Sequence, residues 1–140
     1  MQEYQRGAYA ISTDPARLDL DVIAGELGRS YWAAGRPREV IARSLASSLC
    51  FGVYHGAAQV GLARVVTDYA TFAWLCDVFV LEAHRGQGLG KWLIATVTAH
   101  PDLAGLRRFV LATRDAHGLY SQYGFTPLAA PDRWMEIFRS

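Results

Sequence analysis

Three alternating glycines lie between an apolar stretch and a helical pattern, in the segment Arg85-Gly86-Gln87-Gly88-Leu89-Gly90-Lys91. Glycine has no Cβ, so the main chain there can turn tightly and approach a ligand closely. The first N–H groups of the following helix have no internal partner and lie at the positive end of its dipole, which suits an anion. The segment therefore predicts a phosphate-binding loop, although such a loop can also serve only close packing.

A single acidic residue, Asp77, interrupts the otherwise apolar stretch 71–80. A buried carboxylate is costly unless it is paired or takes part in chemistry. Two interpretations are therefore equally open. Asp77 is either a general base or the partner in a salt bridge or hydrogen bond to a neighbouring loop.

The composition narrows the class of protein. With 140 residues, 51% of them hydrophobic, and a net charge of +1, the chain is typical of one globular domain over residues 1–140. A general nucleic-acid binder would need a surplus of Lys and Arg, so we expect no nucleic acid. The sequence has no apolar stretch of the roughly 20 residues that span a bilayer, and its first residues lack the apolar core of a signal peptide. We expect no membrane and a cytoplasmic location.

The two cysteines, Cys50 and Cys76, both lie within apolar stretches. This position predicts buried, reduced thiols, as in a cytoplasmic protein. We find no Cys/His cluster with the spacing of metal ligands in the sequence, and we expect no metal.

The hydrophobic pattern predicts the scaffold that positions these residues. Helices are predicted from Asp14-Pro15 to Gly28, and over 37–47, 91–99 and 116–123, the last with Asp115 as N-cap. Strands are predicted over 7–12, 50–55, 59–67, 71–80, 109–112 and 134–139. The order β-α-α-β-β-β-α-β-α-β begins with hairpins, and a crossover helix then joins two parallel strands. The predicted fold class is α/β (α+β mixed), with a central mixed, mostly antiparallel sheet and helices on both faces.

Two motifs together resemble a known family. The segment Arg85-Gly86-Gln87-Gly88-Leu89-Gly90 matches the Arg/Gln-x-x-Gly-x-Gly/Ala signature of the GNAT superfamily of acyl-CoA-dependent N-acyltransferases. The segment Leu119-Tyr120-Ser121-Gln122-Tyr123-Gly124-Phe125 is similar to a second element of that family. The resemblance extends from about Cys50 to the end of the chain. One departure is Asp115, where many members carry an asparagine that donates to the cofactor.

The resemblance implies acetyl-CoA as the acyl donor. The loop amides would hold its pyrophosphate, and the main chain near the end of the strand before the loop would pair with the pantetheine arm and stabilise the developing oxyanion. The implied cofactor-binding residues are Phe79, Val80, Arg85, Gly86, Gln87, Gly88, Leu89, Gly90 and Lys91.

Tyr120 is implied as the general acid that protonates the leaving thiolate. A phenol has a pKa of about 10 and a thiol about 8.5, so the transfer is slightly uphill and requires good placement. On a helix, Leu119 and Tyr123 would face the core, with Tyr120 rotated by about 100°. The alternative is a tyrosine that only packs.

The base and the acceptor site are less defined by the sequence. Asp77, Glu82, His84, His117 and a water chain are all candidates for the base. Tyr31 and Trp32, in the loop between the first two helices, and Trp74 are candidates for binding the acceptor. Core packing is the alternative for each of these aromatics and is preferred for Trp74.

The leading function is an N-acetyltransferase that moves acetyl from acetyl-CoA to a primary amine, of a small molecule or a peptide, by direct attack in a ternary complex. Neither cysteine lies in a loop as an activated nucleophile would, which disfavours an acyl-enzyme. The alternative is an acyl-CoA-binding sensor or assembly module without catalysis, which the presence of Tyr120 disfavours. Dimers are common in the family, and a homodimer stays an open expectation.

Overall fold

The chain forms six strands and four helices in the computed structural model, which describes residues 2–139. The strands are β1 (Glu3–Arg6), β2 (Tyr9–Ser12), β3 (Leu49–His55), β4 (Ala58–Thr67), β5 (Phe72–Val80) and β6 (Arg108–Leu111). The helices are α1 (Leu20–Gly28), α2 (Arg38–Ala46), α3 (Leu89–Thr98) and α4 (His117–Ser121). Short 3₁₀ turns occupy Pro15–Arg17, Glu82–His84, Pro101–Leu103 and Pro131–Arg133.

The six strands form one sheet whose spatial order follows the chain, from β1 to β6. Neighbours from β1 to β5 are antiparallel, and β5 pairs with β6 in parallel. The connection between these two parallel strands runs through α3, as a parallel pair requires. The predicted mixed, mostly antiparallel sheet is confirmed.

The sheet is covered on both faces, as its nearly continuous apolar strands require. One core lies against α3 and contains Phe51, Val53, Leu93, Ile94 and Val97. The other lies against α1 and α2 and contains Ile23, Leu27, Ile41, Leu45 and Leu62. Within residues 2–139 there is no helix both long and apolar enough to cross a bilayer.

A β-bulge bends β5 at its middle. Leu62 of β4 pairs with Phe79, while Arg64 pairs with Cys76, so two residues of β5 oppose one residue of β4. Asp77, in the bulge, has a φ of 50°, which few residues other than glycine adopt. Bulges bend a strand and change the direction of its side chains. The bend lies between two paired stretches of β5, since Phe79 and Val80 pair again with Leu62 and Gly61 of β4.

The N-terminal elements differ from the prediction. The single strand predicted over 7–12 is the second half of a hairpin, because the mostly polar β1 carries no apolar signal yet pairs with β2. The helix predicted from Asp14 begins as one 3₁₀ turn. The α-helix starts only at Leu20, where the side chain of Asp19 accepts a hydrogen bond from the Val22 N–H.

The C-terminal elements differ as well. None of the described residues 134–139 forms a strand, so that prediction is wrong for the single chain. A strand requires a paired edge, which strand propensity alone does not provide. Asp115 does not cap α4, since the cap residue is Ala116 and no side-chain hydrogen bond caps the helix.

Candidate active site

Beyond Leu75, β5 and its parallel neighbour no longer pair, and the space between their ends is called the cleft below. The pairing of β5 with β6 ends at Leu75 and Leu111, whereas β5 continues to Val80. Among the described residues, β6 offers no partner to β5 beyond Leu75. Part of the main chain between the bulge and Val80 thus lies at an open strand edge. This places the predicted pair Phe79 and Val80 beside the cleft.

The glycine loop follows directly and presents main-chain donors. Gly86 and Gly88 have φ values of 81° and 78°, so the chain is left-handed at both, and Gly88 is the N-cap of α3. In the described part of the chain, no group accepts a hydrogen bond from the N–H groups of residues 86–91. A Cβ at Gly86 or Gly90 would meet nothing within 4 Å. The loop therefore offers adjacent, unpartnered donors at a helix N-terminus with open space before them, which fits a pyrophosphate.

The N-terminal hairpin supports this loop from the other side. The guanidinium of Arg6 donates to the carbonyl oxygens of Gln87 at 3.0 Å and of Gly88 at 3.4 Å, and lies 5.5 Å from the ring centre of Trp92. The Tyr9 hydroxyl lies 2.9 Å from His84 Nδ1 and donates to Gln87 Oε1 at 3.3 Å. Arg6 thus holds two carbonyl groups of the loop, while the loop N–H groups keep no partner among the described residues.

Arg85 and Lys91, predicted as positive charges at the loop, differ in their surroundings. Arg85 Nε donates to the Val80 carbonyl oxygen at 2.8 Å, and its Nη2 lies 3.3 Å from Glu26 Oε2. Arg85 thereby links the loop to β5 and α1. Lys91 is exposed on the first turn of α3.

Asp77 is held in a buried network of donors. Its side chain accepts from Arg64 Nε, Arg36 Nη1 and Trp32 Nε1, each at 2.9 Å, and the residue is only 4% exposed. Burial alone would raise the pKa of Asp77, but the hydrogen bonds and charges of Arg64 and Arg36 outweigh it and hold the pKa below its usual range. Of the two interpretations, the contacts match the salt bridge.

The network fixes the loop between α1 and α2 over the cleft. Trp32 and Arg36 belong to this loop and reach the bulge of β5 through Asp77. The ring of Tyr31 packs edge-on against Trp32, and its hydroxyl accepts from the Arg114 N–H at 3.2 Å. The Arg114 guanidinium lies 3.8 Å from the Tyr31 ring centre. The loop thus bridges β5 and the segment after β6.

Tyr120 is buried on the α3 side of the sheet. It is 9% exposed and belongs to the core cluster, against which Leu119 and Tyr123 pack partly buried. The expectation that Leu119 and Tyr123 face the core is confirmed, and Tyr120 packs into the same core. Its ring packs edge-on against Phe125. Burial, with a smaller contribution from nearby Tyr31, raises the pKa of Tyr120. The phenol therefore keeps its proton at neutral pH, as a proton donor must.

The remaining predicted residues are dispersed. Trp74, Tyr31 and Trp32 are 42%, 52% and 42% exposed, which is more than core packing would leave. No ring contact joins Trp74 to the other two within residues 2–139. Cys50 and Cys76 are free, and burial raises the pKa of their thiols to about 12 and about 11. Neither is an activated nucleophile.

Several residues of the site carry no sequence signal. Arg6 and Tyr9 lie about 80 positions before the loop they support, and Arg36 and Arg64 lie 41 and 13 positions from Asp77. Scattered arginines are usually surface residues. The available sequence signal was Asp77 in an apolar strand, because a buried carboxylate requires a partner. That signal does not identify the partner.

Comparison with known proteins agrees with this architecture. The chain belongs to the acetyltransferase (GNAT) domain family, whose profile matches residues 46–127. A candidate acetyltransferase of Gibberella zeae is 34% identical over 142 residues, covering 86% of this chain and 80% of that protein.

Solved structures show the same fold. A candidate GNAT acetyltransferase from Xanthomonas campestris pv. campestris is 51% identical, with a TM-score of 0.91, and the match covers 94% of this chain and 93% of that one. A candidate acetyltransferase from Clostridium acetobutylicum, solved with acetyl-CoA, is 13% identical with a TM-score of 0.65, covering 93% and 94% of the two chains. The chain is thus an acetyltransferase-family protein with a mixed α/β fold.

Proposed function

We propose that this protein transfers acetyl from acetyl-CoA to a primary amine by direct attack in a ternary complex. The observation that carries the proposal is the row of unpartnered N–H groups over residues 86–91, next to the open edge of β5. Membership of the GNAT family supports acetyl-CoA as the donor. The acceptor is the amine of a small molecule or a peptide.

The donor half of the cleft is main chain. The N–H groups from Gly86 to Lys91 bind the pyrophosphate, and the charge of Lys91 adds to the positive end of the α3 dipole. Arg85 keeps the loop attached to β5. The open edge at Phe79 and Val80 pairs with the pantetheine arm, and a main-chain N–H there polarises the thioester carbonyl.

Tyr120 supplies the proton in this proposal. Acetyl-CoA, when bound, supplies an activated acetyl group as its thioester. Tyr120 donates its phenolic proton to the departing sulfur. Its raised pKa keeps the phenol protonated at neutral pH but makes the transfer to the thiolate more uphill, so the hydroxyl must lie close to the sulfur. The hydroxyl then regains a proton from solvent.

Asp77 takes a positioning role rather than that of the base. Both of its carboxylate oxygens accept from protein donors, and its lowered pKa makes it a weak proton acceptor. It holds Trp32 and Arg36, and with them the half-exposed rings of Tyr31 and Trp32, beside the acceptor amine. The amine loses its proton to water at the mouth of the cleft.

A panel of amines with acetyl-CoA and detection of free thiol tests the proposal. We expect at least one small amine or peptide to release CoA in proportion to acetylated product. Tyr120→Phe should lower kcat about 100-fold and leave the KM for acetyl-CoA within about twofold, because only the proton donor is lost.

The non-catalytic alternative gives a different result in the same assay. A sensor or assembly module would bind acetyl-CoA yet release no thiol with any amine, and Tyr120→Phe would change nothing. Absence of acetyl-CoA binding by calorimetry would overturn both functions. A wild-type turnover equal to that of Tyr120→Phe would remove only the acid role.

A further inference from the structure

The network around Asp77 carries more positive than negative charge. The guanidinium groups of Arg36 and Arg64 both donate to the same oxygen of Asp77, Oδ2, at 2.9 Å. Within residues 2–139, neither arginine forms an ion pair with any other carboxylate. Because two cations share one anion, one positive charge of this network has no counter-ion in the protein.

This charge is accessible at Arg36 rather than at Arg64. The side chain of Arg64 is 10% exposed and also donates from Nη1 to the Ser48 hydroxyl at 3.1 Å. The side chain of Arg36 is 24% exposed, and in the described part of the chain only its Nη1 has a partner. Its Nε and Nη2 are not enclosed, since the enclosed side-chain atoms without a partner there are the Tyr54 hydroxyl oxygen and His100 Nε2. Solvent therefore reaches two donors of a charged group.

Arg36 lies on the acceptor side of the cleft. It belongs to the loop between α1 and α2, in which Trp32 also donates to Asp77 and Tyr31 packs edge-on against Trp32. Tyr31 is close enough to Tyr120 to contribute to the raised pKa of that phenol. The loop that presents the free donors of Arg36 thus extends to the neighbourhood of the proposed proton donor.

The chemistry of Arg36 suits one kind of acceptor. The N–H groups of Nε and Nη2 lie on one edge of the planar guanidinium, and this fork matches the two oxygens of a carboxylate. A positive charge without a counter-ion repels an acceptor that carries further ammonium groups. The same charge lowers the pKa of an ammonium group close to it, which assists the loss of a proton to water. The site therefore favours an amine that carries a negative charge over a polyamine.

We propose that the acceptor is a primary amine that also carries a carboxylate, and that Arg36 binds this carboxylate through Nε and Nη2. The half-exposed rings of Tyr31 and Trp32 lie beside the rest of the acceptor. Free amino acids belong to this class, as do peptides with a carboxylate close to their amine. This assignment rests on the proposed acetyl transfer, because it names the acceptor of the same site.

Matched sets of amines test the acceptor class. Each set contains one of the common amino acids, its carboxamide and its decarboxylated amine, and thiol release from acetyl-CoA is measured for all three. For the side chains that the protein accepts, kcat/KM should fall about 30-fold from the amino acid to either analogue. The carboxamide has a more acidic ammonium group than the amino acid, so its slower reaction cannot be caused by protonation of the amine.

Substitution of Arg36 tests the residue. Arg36→Gln keeps a donor for Asp77 but removes the charge and the fork. It should raise the KM for the amino acid about 30-fold and leave kcat, and the KM for the carboxamide, within about twofold. Arg36→Lys restores the charge without the fork and should recover part of the loss. Arg38→Gln is the control, since Arg38 pairs with Asp21 at the surface, and it should change none of these values.

A purely structural role of Arg36 gives a different pattern. If Arg36 only held the loop through Asp77, Arg36→Gln would raise the KM values for the amino acid and the carboxamide by the same factor. That result overturns the assignment. Equal use of amino acids and their decarboxylated amines by the wild type overturns it as well.

Calorimetry with the acetylated products separates this assignment from the proposed function. In the presence of CoA, the wild type should bind an N-acetyl amino acid more tightly than its carboxamide, and Arg36→Gln should lose this preference. Such binding without thiol release from any amine contradicts acetyl transfer and supports the carboxylate site. Thiol release with neutral amines alone supports acetyl transfer and overturns the carboxylate class.

Discussion

The two halves of the cleft are built by different means. The donor half consists of main-chain N–H groups from six consecutive residues, 86–91, around left-handed glycines. The half that we assign to the acceptor consists of side chains from distant positions, joined at Asp77: Trp32, Arg36 and Arg64. A main-chain site can be kept while most side chains change, whereas a side-chain network is specific to its sequence. This explains why the family is recognisable from the donor half and the acceptor is not.

Removing the charge of Asp77, at the centre of the side-chain network, should have the largest effect of the changes considered, and it should act on the free energy of unfolding. Asp77→Asn keeps a residue type that tolerates positive φ but leaves Arg64 and Arg36 without a counter-ion in a buried site. We expect a loss of about 3 kcal/mol in the free energy of unfolding, measured in urea. The KM for the acceptor amine should rise more than that for acetyl-CoA.

Asp21→Asn is the matched control for that variant. It removes the charge of an Asp–Arg pair whose side chains are 85% and 56% exposed, so the expected loss is below about 1 kcal/mol. Equal losses for the two variants would show that the network at Asp77 adds no stability beyond that of a surface pair.

The network at Asp77 should also make the free energy of unfolding depend on pH. Because the pKa of Asp77 is lowered in the folded protein, its contribution is complete above the unfolded pKa of about 4 and is lost as the pH falls towards the lower folded value. The difference in unfolding free energy between wild type and Asp77→Asn should therefore shrink from pH 7 to pH 3. A difference that stayed constant over this range would contradict the ion pair.

The donor half should be sensitive to main-chain strain. Gly88→Ala places a Cβ at a φ of 78° and 3.2 Å from Arg6 Nη2, at a cost of roughly 1–2 kcal/mol. We expect the KM for acetyl-CoA to rise about tenfold with little change for the amine. Gly28→Ala, at a position without positive φ and with nothing within 4 Å, should leave both values unchanged.

The smallest effect on the KM for acetyl-CoA is expected at the β1–β2 hairpin, which supports the glycine loop through Arg6. Arg6→Gln removes the donors to the carbonyls of Gln87 and Gly88, so the loop N–H groups lose part of their fixed direction. The KM for acetyl-CoA should rise about fivefold, about 1 kcal/mol, at unchanged kcat. Arg43→Gln, on exposed α2, is the control.

Dephospho-CoA separates positioning from direct contact in Arg6→Gln. If Arg6 positions the loop, CoA and dephospho-CoA should lose affinity by the same factor, because both carry the pyrophosphate. A loss confined to CoA would instead indicate that Arg6 contacts the terminal phosphate directly.

The contrast between the main-chain half and the side-chain half of the cleft also explains which features could be predicted from the sequence. The glycine spacing, the strand before it and the helix after it are local signals. All three were recovered, together with the mixed, mostly antiparallel sheet and the helices on both of its faces. The partners of Asp77 and the support by Arg6 arise from contacts between elements far apart in the chain, which no local pattern encodes. The segment 134–139 has the pattern of a strand, yet the single chain pairs it with no described edge.

The unpartnered N–H groups of the glycine loop have a consequence for hydrogen exchange. Protection of an amide reflects its hydrogen bond rather than the rigidity of its surroundings. The amides of residues 86–91 should therefore exchange with deuterium quickly in the free protein, although the neighbouring α3 side chains Leu93 and Ile94 are fully buried. Once a ligand accepts from them, their exchange should slow while the centre of α3 stays unchanged, so the loop reports its own occupancy.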